Sequence, residues 1–191
     1  DAIFAFCKRI IEATAPICVA YKPNNDFFEA YGLEGWKSLE KVMDFLNQQY
    51  PEVFTIADAK RADIGNTSKR YAKAYFEQFE FDSVTLSPYM GKDSVEPFLE
   101  YKEKYAILLA LTSNEGASDF QFLNTEGKPL FEQVIEKSRN WQNANQLMYV
   151  VGATKAQALQ KIRTLIPDSF LLIPGVGAQG GSLEEVAING L

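Results

Sequence analysis

The chain has no histidine and only two cysteines in 191 residues. Cys7 and Cys18 stand apart in apolar stretches, so the usual zinc ligand sets cannot be assembled from this sequence. Without an imidazole, proton transfer and charge stabilisation fall to lysines and carboxylates. The two cysteines read as buried free thiols, which suits a reducing compartment. Long hydrophobic runs are also missing. The longest, Tyr105 to Leu111, is far short of the roughly 20 residues a membrane-spanning helix needs, and no charged-then-apolar leader is visible, so a cytoplasmic protein is expected. Positive charge is scarce: 19 Lys and Arg against 25 Asp and Glu give a net charge of −6 and a pI near 4.8. That balance argues against nucleic acid or an anionic membrane as the main partner, while leaving room for a phosphate-bearing small molecule held by a few local donors. No Ser/Gly linker, low-complexity tract or short repeat divides the chain, so a single domain over residues 1–191 is expected. The chain opens at Asp1 and stops at Leu191 in what reads as mid-unit, and terminal segments are expected to be missing at both ends.

What is present is a regular alternation. Ile3, Phe4, Cys7, Ile10 and Ile11 recur at helical spacing and predict a helix over 2–14, closed by Pro16. Short apolar runs predict strands at 17–21, 53–59, 83–86, 105–111, 147–151 and 170–173. Each is followed by a segment with helical periodicity, including 155–166 and a last helix whose Ser182 and Glu185 form a capping box. The helix after the second strand carries Tyr71, Ala72, Tyr75, Phe76 and Phe79 along one stripe. That looks like more aromatic surface than a sheet alone needs, and it suggests a subunit interface. Six strands in strict βα order mean a parallel sheet covered on both faces. A doubly wound open sheet and a closed eight-stranded barrel both satisfy this; the barrel needs one further βα unit at each end.

The unusual polar residues fall at the carboxyl ends of the strands: Lys22, Asp58 with Lys60, Ser113, and the loop 175–181. In VFTIADAKRADIGNT, Asp58 and Lys60 are two apart on a strand and so share a face, with Asp63 in the turn beyond. An ammonium is expected to sit between two carboxylates. At about 4 Å and an effective dielectric near 20, each opposite-charge contact contributes on the order of 4 kcal/mol. Lys60 would then be a poor nucleophile and a good proton donor. A structural ion-pair network at a strand end is the plainer reading of D-x-K alone; the clustering of Lys22, Ser113 and the glycine loop on the same face favours function.

GVGAQG, residues 175–180, matches G-x-G-x-x-G formally. It follows the sixth strand rather than the first, and the acidic partner expected about 20 residues later falls beyond the chain, which disfavours a dinucleotide. A phosphate monoester fits better, with backbone N–H groups of Gly177 and Gly180, the Gln179 amide and the following helix's positive end as donors. The plainer reading is a tight βα turn.

Asp58, Lys60, Asp63, Ile64 and Thr67 complete the pattern D-x-K-x-x-D-I-x-x-T. With Lys22 in VAYKPN, Ser113 in LTSNEG and Gln179 in PGVGAQGG, the chain resembles the orotidine 5′-phosphate decarboxylases, in wording close to the bacterial branch. The resemblance covers nearly the whole chain. Two family elements, an aspartate ending the first strand and a phosphate-binding arginine after the eighth, have no counterpart here. The resemblance implies a (β/α)8 TIM barrel whose first and eighth strands lie outside this chain. It also implies a homodimer and conversion of orotidine 5′-phosphate to uridine 5′-phosphate and carbon dioxide without metal or cofactor. It assigns Lys60 as proton donor, Asp58 as the carboxylate facing the departing group and Lys22 as the link between Asp58 and the ribose. Asp63 and Thr67 are expected to reach into the neighbouring subunit's site, Ser113 to contact the pyrimidine, and Gln179 with Gly177 and Gly180 to hold the phosphate. Alternatives are a Mg2+-dependent sugar-phosphate decarboxylase or aldolase sharing D-x-K-x-x-D, a nucleotide-binding module without turnover, and a nicotinamide-dependent dehydrogenase.

Overall fold

A computed structural model describes residues 1–177 and 179–190. Helix α1 (Ala2–Thr14) is capped by Asp1, whose Oδ1 accepts from the Phe4 amide at 3.0 Å. It is followed by β1 (Ala20–Tyr21), α2 (Asn25–Glu29), α3 (Gly32–Gln49) and β2 (Phe54–Arg61). Helix α4 (Gly65–Lys73) widens into a π-helical turn, Ala74–Gln78, before β3 (Ser83–Leu86), α5 (Lys92–Leu99) and β4 (Tyr105–Leu111). Next come α6 (Ala117–Phe120), the short strands β5 (Asn124–Thr125) and β6 (Lys128–Pro129), α7 (Leu130–Ser138), β7 (Leu147–Val151), α8 (Ala156–Leu165), β8 (Leu171–Leu172) and α9 (Leu183–Gly190).

Six of the strands pair in parallel in the order β1-β2-β3-β4-β7-β8. Sequence order and spatial order coincide, with no switch point where the winding reverses, so the sheet is of the barrel type and not the doubly wound type. Side chains alternate between two cores. The outer face packs against the helices and includes Ala57, Ala59, Val84, Leu86, Leu108, Tyr149 and Val151. The inner face carries a small separate cluster of Ile56, Ile107 and Val150, with Ala20, Phe54, Leu109, Met148 and Leu172 packed against it. Period-2 alternation therefore places Asp58 and Lys60 on the Ile56 side, above the inner cluster.

The central strands β3, β4 and β7 have the bounds expected from their apolar runs. The edges differ. Residues 17–21 do not form a buried strand: Pro16 starts a 3-10 turn over Ala15–Ile17, only Ala20–Tyr21 pair with β2, and Ile17 and Val19 are 86% and 88% exposed. An edge strand has one neighbour to hold it, and the turn containing Pro16 occupies the residues just before it. The loop after β4 also holds the hairpin β5–β6, which Glu126 and Gly127 turn with φ of 54° and 82°.

The aromatic stripe after β2 is not surplus. Tyr75 and Phe76 are buried, Phe79 stacks on Trp36 at 5.7 Å, and Phe76 meets Phe98 edge-on at 6.0 Å. The chain's own core consumes it, so the stripe gives no argument for an interface. Cys7 and Cys18 are free and half-buried rather than fully buried.

Candidate active site

A cleft of about 580 Å³ opens over the inner cluster at the carboxyl ends of the strands, and Lys22, Asp58, Lys60, Ser113 and Gln179 all line it. A larger groove of about 800 Å³ lies between β8, α8 and α9, but its main cation, Arg163, is already committed to the carbonyls of Gly190, Ile166 and Ser169. The first cleft instead gathers charged and polar side chains from the ends of several strands.

Asp58 is the hub. Its side chain is 10% exposed. Lys22 Nζ donates to Oδ2 at 2.5 Å and Lys60 Nζ to Oδ1 at 2.6 Å. The backbone repeats the link: the Asp58 amide donates to the Pro23 carbonyl at 3.1 Å, which continues the β1–β2 pairing past the strand end. Burial pushes the Asp58 carboxyl up, and the Lys22 and Lys60 ammoniums together overcome this and hold it below the usual carboxylate range. The array is thus a carboxylate between two ammoniums, not the expected ammonium between two carboxylates. Asp63 stands outside it, its Oδ1 accepting from the Ile64 amide at 2.7 Å. Asp63 lies two residues beyond the end of β2 at Arg61.

Lys60 has a left-handed backbone, φ 47°. For a residue with a side chain this costs about 1–3 kcal/mol and persists only when its surroundings impose it. The register of β2 against β3 slips between Ala57 and Arg61, so the strand bulges at Asp58–Lys60. Just beyond, Arg61 pairs with Glu29 and lies over the rings of Tyr71 and Tyr75, 5.6 and 5.9 Å from their centroids. This pins the far side of the bulge.

On the opposite wall, Ser113 Oγ donates to Gln179 Oε1 at 2.7 Å, joining the loop after β4 to the glycine loop after β8. Ser113 is positioned from behind: a Cβ on Gly152 would lie 2.6 Å from its Cα, and Thr154 Oγ1 donates to its carbonyl at 3.0 Å. Gln121 ties in the same loop, accepting from the Thr112 amide and donating to the Thr112 hydroxyl, both at 2.8 Å.

The glycine loop departs from expectation. Gly175, Gly177 and Gly180 adopt φ of 99°, 79° and 86°, which explains the residue type at each. The amides of Gly177 and Gly180, however, donate to the carbonyls of Gly181 and Gly177, at 2.9 and 2.8 Å. They stabilise the turn and neither glycine lines the cleft. Glu184 and Glu185 occupy the first turn of α9 and oppose an anion at its N-terminus. Among the described residues of 175–181, Gln179 is the one that lines the cleft. Thr67 is exposed on the first turns of α4 and, like Asp63, lies outside the cleft of its own chain.

Residues not singled out from sequence complete the lining: Asn24, Thr85, Thr112, Asn114 and Gln121. Thr85 had a signal, since Ser83 and Thr85 alternate within an otherwise apolar strand and so share its inner face.

Among the described residues no helix is long and apolar enough to cross a membrane, and no group of three or more His, Cys, Asp or Glu is placed to hold a metal ion.

Residues 3–189 match the model of the orotidine 5′-phosphate decarboxylase / HUMPS family. Two curated proteins named orotidine 5′-phosphate decarboxylase, from Christiangramia forsetii and Flavobacterium johnsoniae, are 64% and 63% identical over 191 residues, which is 100% of this chain and 70% of each relative. A solved structure of Leishmania donovani OMP decarboxylase superposes with a TM-score of 0.92 at 38% identity, over 98% of this chain and 73% of that one.

Proposed function

The chain belongs to the orotidine 5′-phosphate decarboxylase / HUMPS family, and from that premise we propose that its cleft decarboxylates orotidine 5′-phosphate to uridine 5′-phosphate, with Lys60 as the acid. The observation that carries this reading is the pairing of Lys60 and Lys22 with the two oxygens of Asp58. Breaking the bond from C6 to the carboxylate releases carbon dioxide and leaves the electron pair on a vinylic ring carbon. A fixed ammonium contributes most where such charge develops. Lys60 stabilises the pair, then transfers its proton to C6, and the resulting amine regains a proton from water. Asp58, held ionised, orients the Lys60 ammonium and stands against the substrate carboxylate, favouring its departure. Lys22 fixes the second oxygen of Asp58 and faces the ribose. Ser113 reads the pyrimidine edge, and Gln179, already bonded to it, reaches the phosphate side, so that binding remote from C6 orders the reacting end. Gly177 and Gly180 act by shaping the loop that presents Gln179.

The same reading makes the protein a cytoplasmic homodimer in which Asp63 and Thr67 complete the partner's cleft. Supporting this, neither residue lines the cleft of its own chain. The neighbouring loops after β2 and β3 also expose Ile64, Tyr89 and Met90, Tyr89 to 89%. No cofactor or metal is needed for the chemistry described. The sugar-phosphate and dehydrogenase readings are not favoured, since the curated relatives carry the decarboxylase name.

The test is the loss of orotidine 5′-phosphate absorbance in EDTA, with the product identified. Turnover to uridine 5′-phosphate supports the reading. A folded chain that binds uridine 5′-phosphate without turnover would make the cleft a nucleotide-binding module, and turnover that requires Mg2+ would point to the sugar-phosphate relatives.

A further inference from the structure

We infer that Thr85 is a positioning residue for the reaction: its hydroxyl holds the backbone bulge that aims Lys60 at the substrate. For its catalytic consequence this rests on the decarboxylase reading above.

The bulge creates a specific problem. Between the paired positions Ala57↔Val84 and Arg61↔Leu86, β2 spends two more residues than β3. The amides of Ala59 and Lys60 thereby lose their places in the parallel ladder, in a region where Ala59 is 4% exposed. Buried amides left without acceptors are strongly disfavoured. Both are satisfied by one atom. Thr85 Oγ1 accepts from the Ala59 amide at 3.0 Å and from the Lys60 amide at 2.9 Å. A hydroxyl has two acceptor sites and one proton. The acceptor sites are filled by these amides, and the proton faces Asp58 Oδ1 at 3.3 Å and the Ala57 carbonyl at 3.4 Å.

Thr85 therefore touches each feature that sets the Lys60 ammonium. It compensates the left-handed backbone of Lys60, φ 47°, which nothing in an ordinary ladder would favour. It also lies against the carboxylate oxygen to which Lys60 Nζ donates. Thr85 is 1% exposed, on the inner face of β3. Valine has nearly the same shape and would fill the space, but it cannot accept either amide. Without the hydroxyl the two amides lose their shared acceptor, the bulge is held from its far side by Arg61 alone, and the segment that aims Lys60 is free to shift away from C6. Displacement of a reacting group by about 1 Å costs on the order of 10²-fold in rate.

The experiment compares Thr85→Val and Thr85→Ser with the unaltered chain, reading kcat and KM for orotidine 5′-phosphate together with amide hydrogen exchange at single-residue resolution. The expected result for Thr85→Val is a fall in kcat of about 10²-fold with KM within about 3-fold, and faster exchange confined to Ala59 and Lys60. Thr85→Ser, which keeps the oxygen, should restore both kcat and protection. A residue serving only the fold would lower the melting temperature without this split or rescue. Should Thr85→Val not fold, Thr85→Ala takes its place with the same readouts. Unchanged kcat, or unchanged exchange at Ala59 and Lys60, overturns the inference while leaving the decarboxylase reading intact. Absence of turnover in the unaltered chain removes that reading, and the exchange result still decides whether Thr85 holds the bulge.

Discussion

The two walls of the cleft are built differently. On the β1–β2–β3 wall, a nearly buried carboxylate is bonded at both oxygens to lysines from two strands, and the backbone is fixed by a bulge and by Arg61 behind it. On the β4–β8 wall, the two loops meet through one hydrogen bond from half-buried Ser113 to exposed Gln179, and the Gly177 and Gly180 amides are spent on the glycine loop's own turn. The first wall is assembled before substrate arrives. In the proposed reading, the second is a grip that a ligand completes. Groups that must meet a developing charge gain from being fixed beforehand, because reorganisation would otherwise add to the barrier. Groups that capture a phosphate can close on it and spend that binding energy on ordering the rest.

Breaking the first wall should therefore cost rate, and breaking the second should cost binding. Lys60→Ala is the severest break. It removes both the proton and the positive charge, and kcat should fall by at least about 10³-fold, with uridine 5′-phosphate affinity within a few-fold and the fold retained, since Lys22 still pairs Asp58. Lys22→Ala is expected to lower kcat by about 10²-fold, because Asp58 can then rotate and take Lys60 with it; steady-state kinetics beside circular dichroism would check this. Gln179→Ala is the mildest: KM should rise about tenfold with kcat nearly unchanged. If Gln179→Ala instead lowered kcat more than Lys22→Ala does, the division between the walls would be wrong.

Much of the first wall was legible in the sequence because its logic is local. Strand alternation alone puts Asp58 and Lys60 on one face, and a lysine ending the preceding strand puts Lys22 beside them. The central strands were legible because continuous apolar runs such as Tyr105–Leu111 can only be buried on both sides. What failed depended on partners distant in sequence. Asp63 was expected beside Lys60 by proximity along the chain, yet the bulge and the turn carry it outward. The glycine loop was expected to offer free amides, and a backbone amide's partner cannot be read from residue type. The aromatic stripe of Tyr75, Phe76 and Phe79 showed apolar surface without showing that Trp36 and Phe98 would cover it. Edge strands shortened for the same reason, since Ile17 and Val19 have no second neighbour to define them. The alternation of Ser83 and Thr85 shows that they share a face, but the role of Thr85 depends on the register slip in β2 beside it, which residue types do not reveal.

The central claim is that Asp58 is held ionised between two ammoniums before any substrate binds. Carboxyl NMR titration of Asp58, in the unaltered chain and in Lys22→Ala and Lys60→Ala, tests it most directly. The folded value is lowered, so the stability that Asp58 contributes is complete above the range of an unfolded aspartate and is lost as pH falls through the folded value. The predicted result is titration below 3.8 in the unaltered chain and a rise in each variant, where burial is opposed by a single lysine. Titration at or above 3.8 in the unaltered chain, or a value indifferent to the loss of either lysine, would contradict the account.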